Sequence, residues 1–360
     1  MKCFSLFTGV GGFEQGLPKE WEHIGFSEID KYASLVLKYH YPNTKNYGDC
    51  KKINYREVPD FDLLTGGSPC QDFSIAGKRK GILGERSRLV WEFIHCLEEK
   101  KPRYFIWENV KGVMSSRRGF DFANIITAFS ENGYSLWWQV LNAKDFGVPQ
   151  NRERIFVIGF REGSFPEVFF ERKSNEVNNG GSGDKLREQV TNTIRTNYSN
   201  GYSNETYIQV QNKGASQHHR VYGEKGLAPT LQSQSGMSSQ KHPFIFSVNT
   251  KNGFAEANEG DGINLSFPNS KTRRGRVIKD NSPTLQTNTD GMVGTIQNNQ
   301  IRKLMPIECE RLMSWEDDWT RWGINEKGEK VEISDSQRYK MAGNGVVSNV
   351  VRELVKEFLS

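Results

Sequence analysis

The sequence predicts an α/β layer fold with a mostly parallel sheet, joined to a smaller, irregular β-rich region. Three observations predict it. Over residues 1–161, short apolar runs alternate with amphipathic stretches. Residues 164–300 are rich in Asn, Gln, Ser, Thr and Gly and poor in long apolar runs. An apolar helical face then returns at the end of the chain.

The strand-like runs are CFSLF (3–7), HIGFS (23–27), FDLLT (61–65), YFIW (104–107), LWWQVL (136–141) and RIFVIGF (154–160). Between them lie helical patterns such as Leu89, Val90, Phe93, Ile94 and Leu97, one face of a 3.6-residue repeat. Strands alternating with helices call for a layered sheet with parallel strands. The polar region carries short recurring segments: 191–201, 227–237 and 282–292. The last two share Pro-Thr-Leu-Gln followed by Gly-Met, which reads as strand-and-turn repeats. Pro306 ahead of IECERLMSW marks a helix with proline in its first turn. Val347, Val350, Val351, Leu354, Val355 and Phe358 then form an apolar stripe that needs a core to cover it. The first domain offers that core. The expected division is therefore 1–161 with 332–360 as one domain, and 162–331, including the 302–315 helix, as the other.

Composition narrows the function classes. The net charge of +5 suits a polyanionic partner without requiring one. The cysteines at 3, 50, 70, 96 and 309 are scattered and odd in number, with no metal-type spacing. That pattern fits a reducing compartment, no disulfide framework and no metal. No apolar run approaches the roughly 18 residues that span a bilayer, and the N-terminus lacks a signal-peptide pattern. The expected location is the cytoplasm.

FSLFTGVGG (4–12) is a strand leading into a glycine-rich turn. Gly9, Gly11 and Gly12 let backbone approach a ligand closely. Such turns are also common as purely structural features. Glu28 ends the next strand, where a carboxylate can accept from ribose hydroxyls, and Asp49 can take an adenine amino group. The turn has no Gly-Lys-Ser/Thr and no basic residue, so a nucleoside without phosphates, such as S-adenosylmethionine, is favoured over a dinucleotide.

The reactive residue is Cys70 in GGSPCQDFS (66–74), a lone cysteine presented just after a strand. Glu108 in WENV follows another strand, at the end of a parallel sheet where α/β active sites collect. Read alone, it is equally a cap for the next segment. Arg152 and Arg154 in QNRER (150–154) share a strand face and can aim at one anion. Read alone, they are equally a solvated strand entrance.

Taken together these residues resemble the DNA (cytosine-5)-methyltransferases of bacterial and phage modification systems. The resemblance runs in order through FTGVGG, EID (28–30), GD (48–49), PCQDFS (69–74), ENV (108–110), QNRER, RKLMPIECERLMSW (302–315) and AGNGVVSNVV (342–351). It implies a Rossmann-like S-adenosylmethionine-dependent methyltransferase domain and a target recognition domain. It implies that Cys70 adds to ring carbon 6 of cytosine and that Glu108 hydrogen-bonds or protonates ring nitrogen 3. Arg154 would hold the base oxygen and position Glu108, with Arg152 in support. Phe7, Gly9, Gly11, Glu28, Ile29, Asp49, Pro69, Asn344 and Val346 match donor-site positions. Gln71, Ser74, Lys78, Arg79 and Lys80 match the segment that closes on the DNA backbone, and Arg273, Arg274 and Arg276 fall in the recognition region.

The same resemblance implies double-stranded DNA as partner, a monomer, and a cognate restriction endonuclease as a genetic companion. Thr8, Ala76 and Gly345 depart from the family's usual residues without removing a reactive group. Three rival readings are a tRNA-cytosine methyltransferase on the same fold, a catalytically silent DNA-binding homologue and a nicotinamide oxidoreductase. The polar insert counts against the first, and Cys70, Glu108 and Arg154 together count against the others.

Overall fold

A computed structural model describes residues 1–69, 89–162, 170, 244–247, 254–265, 277–285, 293–297 and 300–359. Six strands make the main sheet: β1 (Lys2–Leu6), β2 (Glu22–Ser27), β3 (Leu63–Gly67), β4 (Tyr104–Val110), β5 (Ser135–Asn142) and β6 (Glu153–Phe160). Their order is β2-β1-β3-β4-β6-β5. β1 pairs in parallel with β2 and β3, and β3 with β4, whereas β6 runs antiparallel to both β4 and β5. The reversal follows from chain length. Only residues 143–152 separate β5 from β6, which suffices for a hairpin but not for a crossover to a parallel neighbour.

Helices cover both faces. Helix α1 (Lys31–His40) is capped by Asp30, whose carboxylate accepts from the N–H groups of Tyr32 and Ala33 at 3.0 and 3.1 Å. Helices α2 (Leu89–Lys100) and α3 (Phe120–Glu131) bury Val90, Phe93, Ile94, Leu97, Ile125 and Phe129 against Phe105 and Trp107 on one face. Helices α4 (Pro306–Leu312), α5 (Asp335–Asn344) and α6 (Ser348–Phe358) pack with α1 on the other. The stripe of α6 is buried throughout, as its spacing requires. The chain therefore returns to its first domain.

It returns earlier than expected. Leu304, Cys309, Leu312, Met313, Trp315 and Trp319 share one buried cluster with Val10, Phe13, Phe160 and the residues of α6. The helix within 302–315, which the expected division placed with the second domain, packs on the large sheet. Its polar surroundings in sequence hid this, because its apolar residues are matched by partners far away in the chain, such as Val10, Phe13 and Phe160. Strands β13 (Trp322–Ile324) and β14 (Lys330–Glu332) form a hairpin whose Gly323 lies against Leu35 of α1.

The described part of the polar region is β-rich. β7 (Phe244–Ser247) pairs with β8 (Phe254–Ala257). β9 (Gly262–Asn264), β10 (Val277–Ile278), β11 (Val293–Gln297) and β12 (Gln300–Lys303) form a sheet ordered β10-β9-β11-β12. Segments 191–201 and 227–237 lie outside the described residues. Of 282–292, residues 282–285 are described, and they dock on the main domain. Ser282 donates to the Pro149 carbonyl at 2.6 Å and accepts from Asn151 at 2.9 Å, beside QNRER.

Candidate active site

Glu108 lies inside β4, not after it. The strand runs on to Val110 because β3 and β6 flank it on both sides, pairing Glu108 with Gly67 and Phe156. Its carboxylate accepts from Arg154 Nε at 3.0 Å, with both side chains largely buried. Burial pushes the Glu108 carboxyl above its ordinary range; Arg154, Arg152 and the hydrogen bond from Arg154 pull it back. This is a carboxyl able to hold a proton in a site that still stabilises its anion.

Both arginines bear on Glu108, by different routes. Arg152 is buried, and its Nη2 donates to the carbonyls of Gly345 at 2.6 Å and Gly343 at 3.3 Å. It thereby ties QNRER to the AGNGVV segment. Arg152 lies just before β6, and Arg154 within it pairs with the carboxylate.

Gly67 shows why a glycine precedes Ser68 and Pro69. A Cβ there would lie 2.9 Å from Glu108 Oε2, so a larger residue would displace the carboxylate. Next along, Ser68 is buried and clamped. Asn109 Nδ2 donates to its carbonyl at 3.1 Å and its Oγ at 3.0 Å, and Trp107 Nε1 donates to the same Oγ at 3.1 Å. Pro69 is partly buried. Cys70 follows directly in sequence but lies outside the described residues, as do Gln71, Ser74, Lys78, Arg79, Lys80, Arg273, Arg274 and Arg276. The remaining cysteines, Cys3, Cys50, Cys96 and Cys309, are buried with their thiols held neutral, Cys3 and Cys50 pushed up to about 12. None of these is a competing nucleophile.

The glycine turn stands beside this centre. Phe7 takes a left-handed φ of 57°, an unusual conformation for a bulky residue where β1 ends. Gly9 and Gly11 have φ of 60° and 87°, and a side chain at Gly9 would meet nothing within 4 Å. The turn therefore presents bare backbone to open space. Glu28 meets it from just past β2, accepting from Gly9 N–H and Asp30 N–H at 2.7 Å each. Burial raises the Glu28 carboxyl, and these two N–H groups hold it down. Each oxygen keeps a lone pair for a further donor. Ile29 beside it is a large apolar side chain that is 73% exposed. Ser27 Oγ donates to the Gly48 carbonyl at 2.7 Å, which brings the 46–49 segment and Asp49 to the end of β2. Asp49 itself accepts from Lys51 N–H at 3.1 Å.

The α5–α6 turn closes the arrangement. Ser348 Oγ donates to the Gly12 carbonyl at 2.7 Å, and a Cβ on Gly12 would meet Val346 at 2.9 Å. Asn344 is exposed at the end of α5. At Gly345 a Cβ would stand 2.3 Å from the Trp315 ring, so the departure from Ser or Ala at this position follows from the tryptophan below it.

Sequence reasoning missed Asn109, Ser68, Gly67 and Trp315. Asn109 carried a faint signal: an asparagine, poor in strands, directly after the apolar run YFIW and Glu108. The turn offers open backbone beside the Glu28 carboxylate, and the Glu108–Arg154 pair offers a carboxyl that can carry a proton beside a guanidinium.

The whole chain, residues 1–360, matches the family described as C-5 cytosine-specific DNA methylase. The orphan methyltransferase M.SPRI of Bacillus phage SPR is 32% identical over all of this chain and 97% of its own length. The type II methyltransferase M.HhaI of Haemophilus parahaemolyticus is 29% identical over 98% of this chain and 92% of its own. In fold, the chain is similar to the Dnmt2 methyltransferase of S. pombe, with a TM-score of 0.56 at 17% identity over 99% of this chain and 97% of that one. On the match over its full length, the chain belongs to the C-5 cytosine-specific DNA methylase family, enzymes that methylate carbon 5 of cytosine in DNA.

Proposed function

We propose that the protein methylates one cytosine within a short double-stranded DNA sequence, with S-adenosyl-L-methionine as donor and no metal. The observation that carries the reading is the buried Glu108–Arg154 pair at 3.0 Å, packed against Gly67 at the base of the turn that leads into Cys70.

When bound, the donor supplies an electrophilic methyl group, and the residues that would hold it are Phe7, Gly9, Gly11, Glu28, Ile29, Asp49, Pro69, Asn344 and Val346. The open backbone of the turn, the spare acceptors of Glu28 and the exposed Ile29 fit a nucleoside with a charged side chain. Cytosine carbon 5 is a poor nucleophile. The Cys70 thiolate adds to carbon 6, forming a carbon–sulfur bond and pushing electrons onto the ring. Glu108 gives its proton to ring nitrogen 3, so no bare anion forms, and Arg154 holds the base oxygen and the carboxyl in register. Carbon 5, now part of an enamine, takes the methyl group. Nitrogen 3 returns its proton to Glu108, and loss of the carbon 5 proton to water then expels the thiolate and restores the neutral ring. These atoms are stacked inside a duplex, so the base must be flipped out at a cost of a few kcal/mol.

Residues 164–300 form the target recognition region, with Arg273, Arg274 and Arg276 at the DNA. Gln71, Ser74, Lys78, Arg79 and Lys80 meet the backbone. The protein acts as a monomer inside the cell. It protects DNA from a restriction endonuclease, either a genetic companion or one met in a host; phage relatives named orphan methyltransferases support the second.

The test is expression in a host that lacks cytosine methylation, followed by conversion sequencing of its genome. Methylation of one short motif by the native chain, and none by Cys70→Ala, is expected. Soluble native protein that leaves DNA unmethylated but modifies tRNA would overturn the reading.

A further inference from the structure

Glu14 opens the short 3-10 turn Glu14–Gly16 just past the glycine turn and is 5% exposed. Its Oε2 accepts no hydrogen bond among the described residues. That oxygen lies 3.7 Å from where a Cβ on Gly11 would stand, beside Tyr41 and Leu37, two residues after Gly9, where a Cβ would meet nothing within 4 Å. The Ser5 hydroxyl meets the other side of the carboxyl, and Ser5 Oγ is itself 2.8 Å from Thr8 Oγ1. A buried carboxyl with an idle oxygen is costly, and a core position here would be better filled by an apolar side chain. In its ionised form, such a carboxyl is relieved by a positive charge.

We infer that Glu14 is a positioning residue for the methyl donor, its carboxylate acting across Gly11 to favour a ligand with a positive sulfur over the neutral thioether that remains after transfer. The inference rests on the reading of the turn as the S-adenosyl-L-methionine site. Substrate and product differ only by the methyl on sulfur and the charge it confers, so a carboxylate in a low-dielectric wall discriminates between them by that charge. It would speed exchange of spent product for fresh donor.

The ionisable groups linked electrostatically to Glu14 are Cys3 on β1 and Tyr41 at the end of α1. Burial holds both neutral, so Glu14 is the group that answers to the ligand. Its own carboxyl is raised to about 7, which leaves it part-protonated near neutrality. A cation bound across the turn must then expel part of a proton, and by reciprocity the ionised carboxylate must tighten the cation.

Calorimetric titration of the full chain with S-adenosyl-L-methionine and with S-adenosyl-L-homocysteine tests this, each in two buffers of different ionisation enthalpy near neutral pH. The native protein is expected to release a fraction of a proton with the sulfonium and none with the thioether. Glu14→Gln is expected to weaken the sulfonium on the order of tenfold, leave the thioether unchanged and abolish the proton release. Equal weakening of both ligands, or equal proton release with both, would overturn the inference and leave the donor site standing. Native protein that binds neither ligand would overturn the donor site itself. The native measurement decides the matter even if the variant fails to fold.

Discussion

Glu14→Gln is expected to make the ligand-free protein more stable above neutrality and to flatten part of its stability–pH curve. Burial raises the Glu14 carboxyl from 4.5 to about 7. The folded protein therefore keeps a proton that the unfolded chain has already lost. Stability from this group is complete below about pH 4.5, declines as pH rises, and is gone once pH passes about 7. At about 1.4 kcal/mol per tenfold in proton affinity, that rise corresponds to about 3 kcal/mol. The side chain is buried, so solvent screening does not reduce the figure much. Glutamine keeps the shape and carries no proton to lose. Equilibrium urea unfolding of both proteins between about pH 5 and pH 8 gives the difference curve. The raised carboxyls of Glu28 and Glu108 are common to both proteins and cancel in it. The variant should gain about 3 kcal/mol on the native protein across that range. A flat difference curve would refute the burial argument, because it would mean that Glu14 is solvated.

Arg154→Gln removes the guanidinium that pulls the Glu108 carboxyl down. Turnover should fall, and the alkaline limb of the rate profile, where Glu108 loses its proton, should move to higher pH; an unmoved limb would separate the two residues. Gly67→Ala places a methyl 2.9 Å from Glu108 Oε2. It should cut kcat by about tenfold or more while the melting temperature barely changes, and unaltered kcat would show that the carboxylate has room to move. Arg152→Ala strands the carbonyls of Gly343 and Gly345. A loss of about 2 kcal/mol or more in unfolding free energy is expected, with weaker donor binding by titration; unchanged binding would detach this arginine from the donor site. Gly345→Ala drives a Cβ into the Trp315 ring, 2.3 Å away. It should destabilise by about 1–3 kcal/mol, and adding Trp315→Phe should recover much of that. If the double variant is no better than the single one, the clash is not the cause.

Six strands, the α2 pattern, the stripe of α6 and the proline-led helix at 306 were legible because local periodicity and turn residues specify them. The reactive residues were legible for a different reason. Their chemistry demands particular side chains at the ends of particular strands, so GGSPC, ENV and QNRER stand out in the chain itself. The sequence by itself also determined that a glycine turn precedes Glu28 and that a polar β-rich region interrupts the core. Only the tertiary structure decided the direction of β6, the extension of β4 through Glu108 and the division of labour between Arg152 and Arg154. Only there do Gly345 and Trp315, or Gly67 and Glu108, come within reach of each other. Glu14 illustrates the limit most sharply. In the sequence it is a charged residue in an ordinary turn. Its burial exists because β1, α1 and α6 close around it, and those contacts join residues far apart along the chain that no local pattern relates.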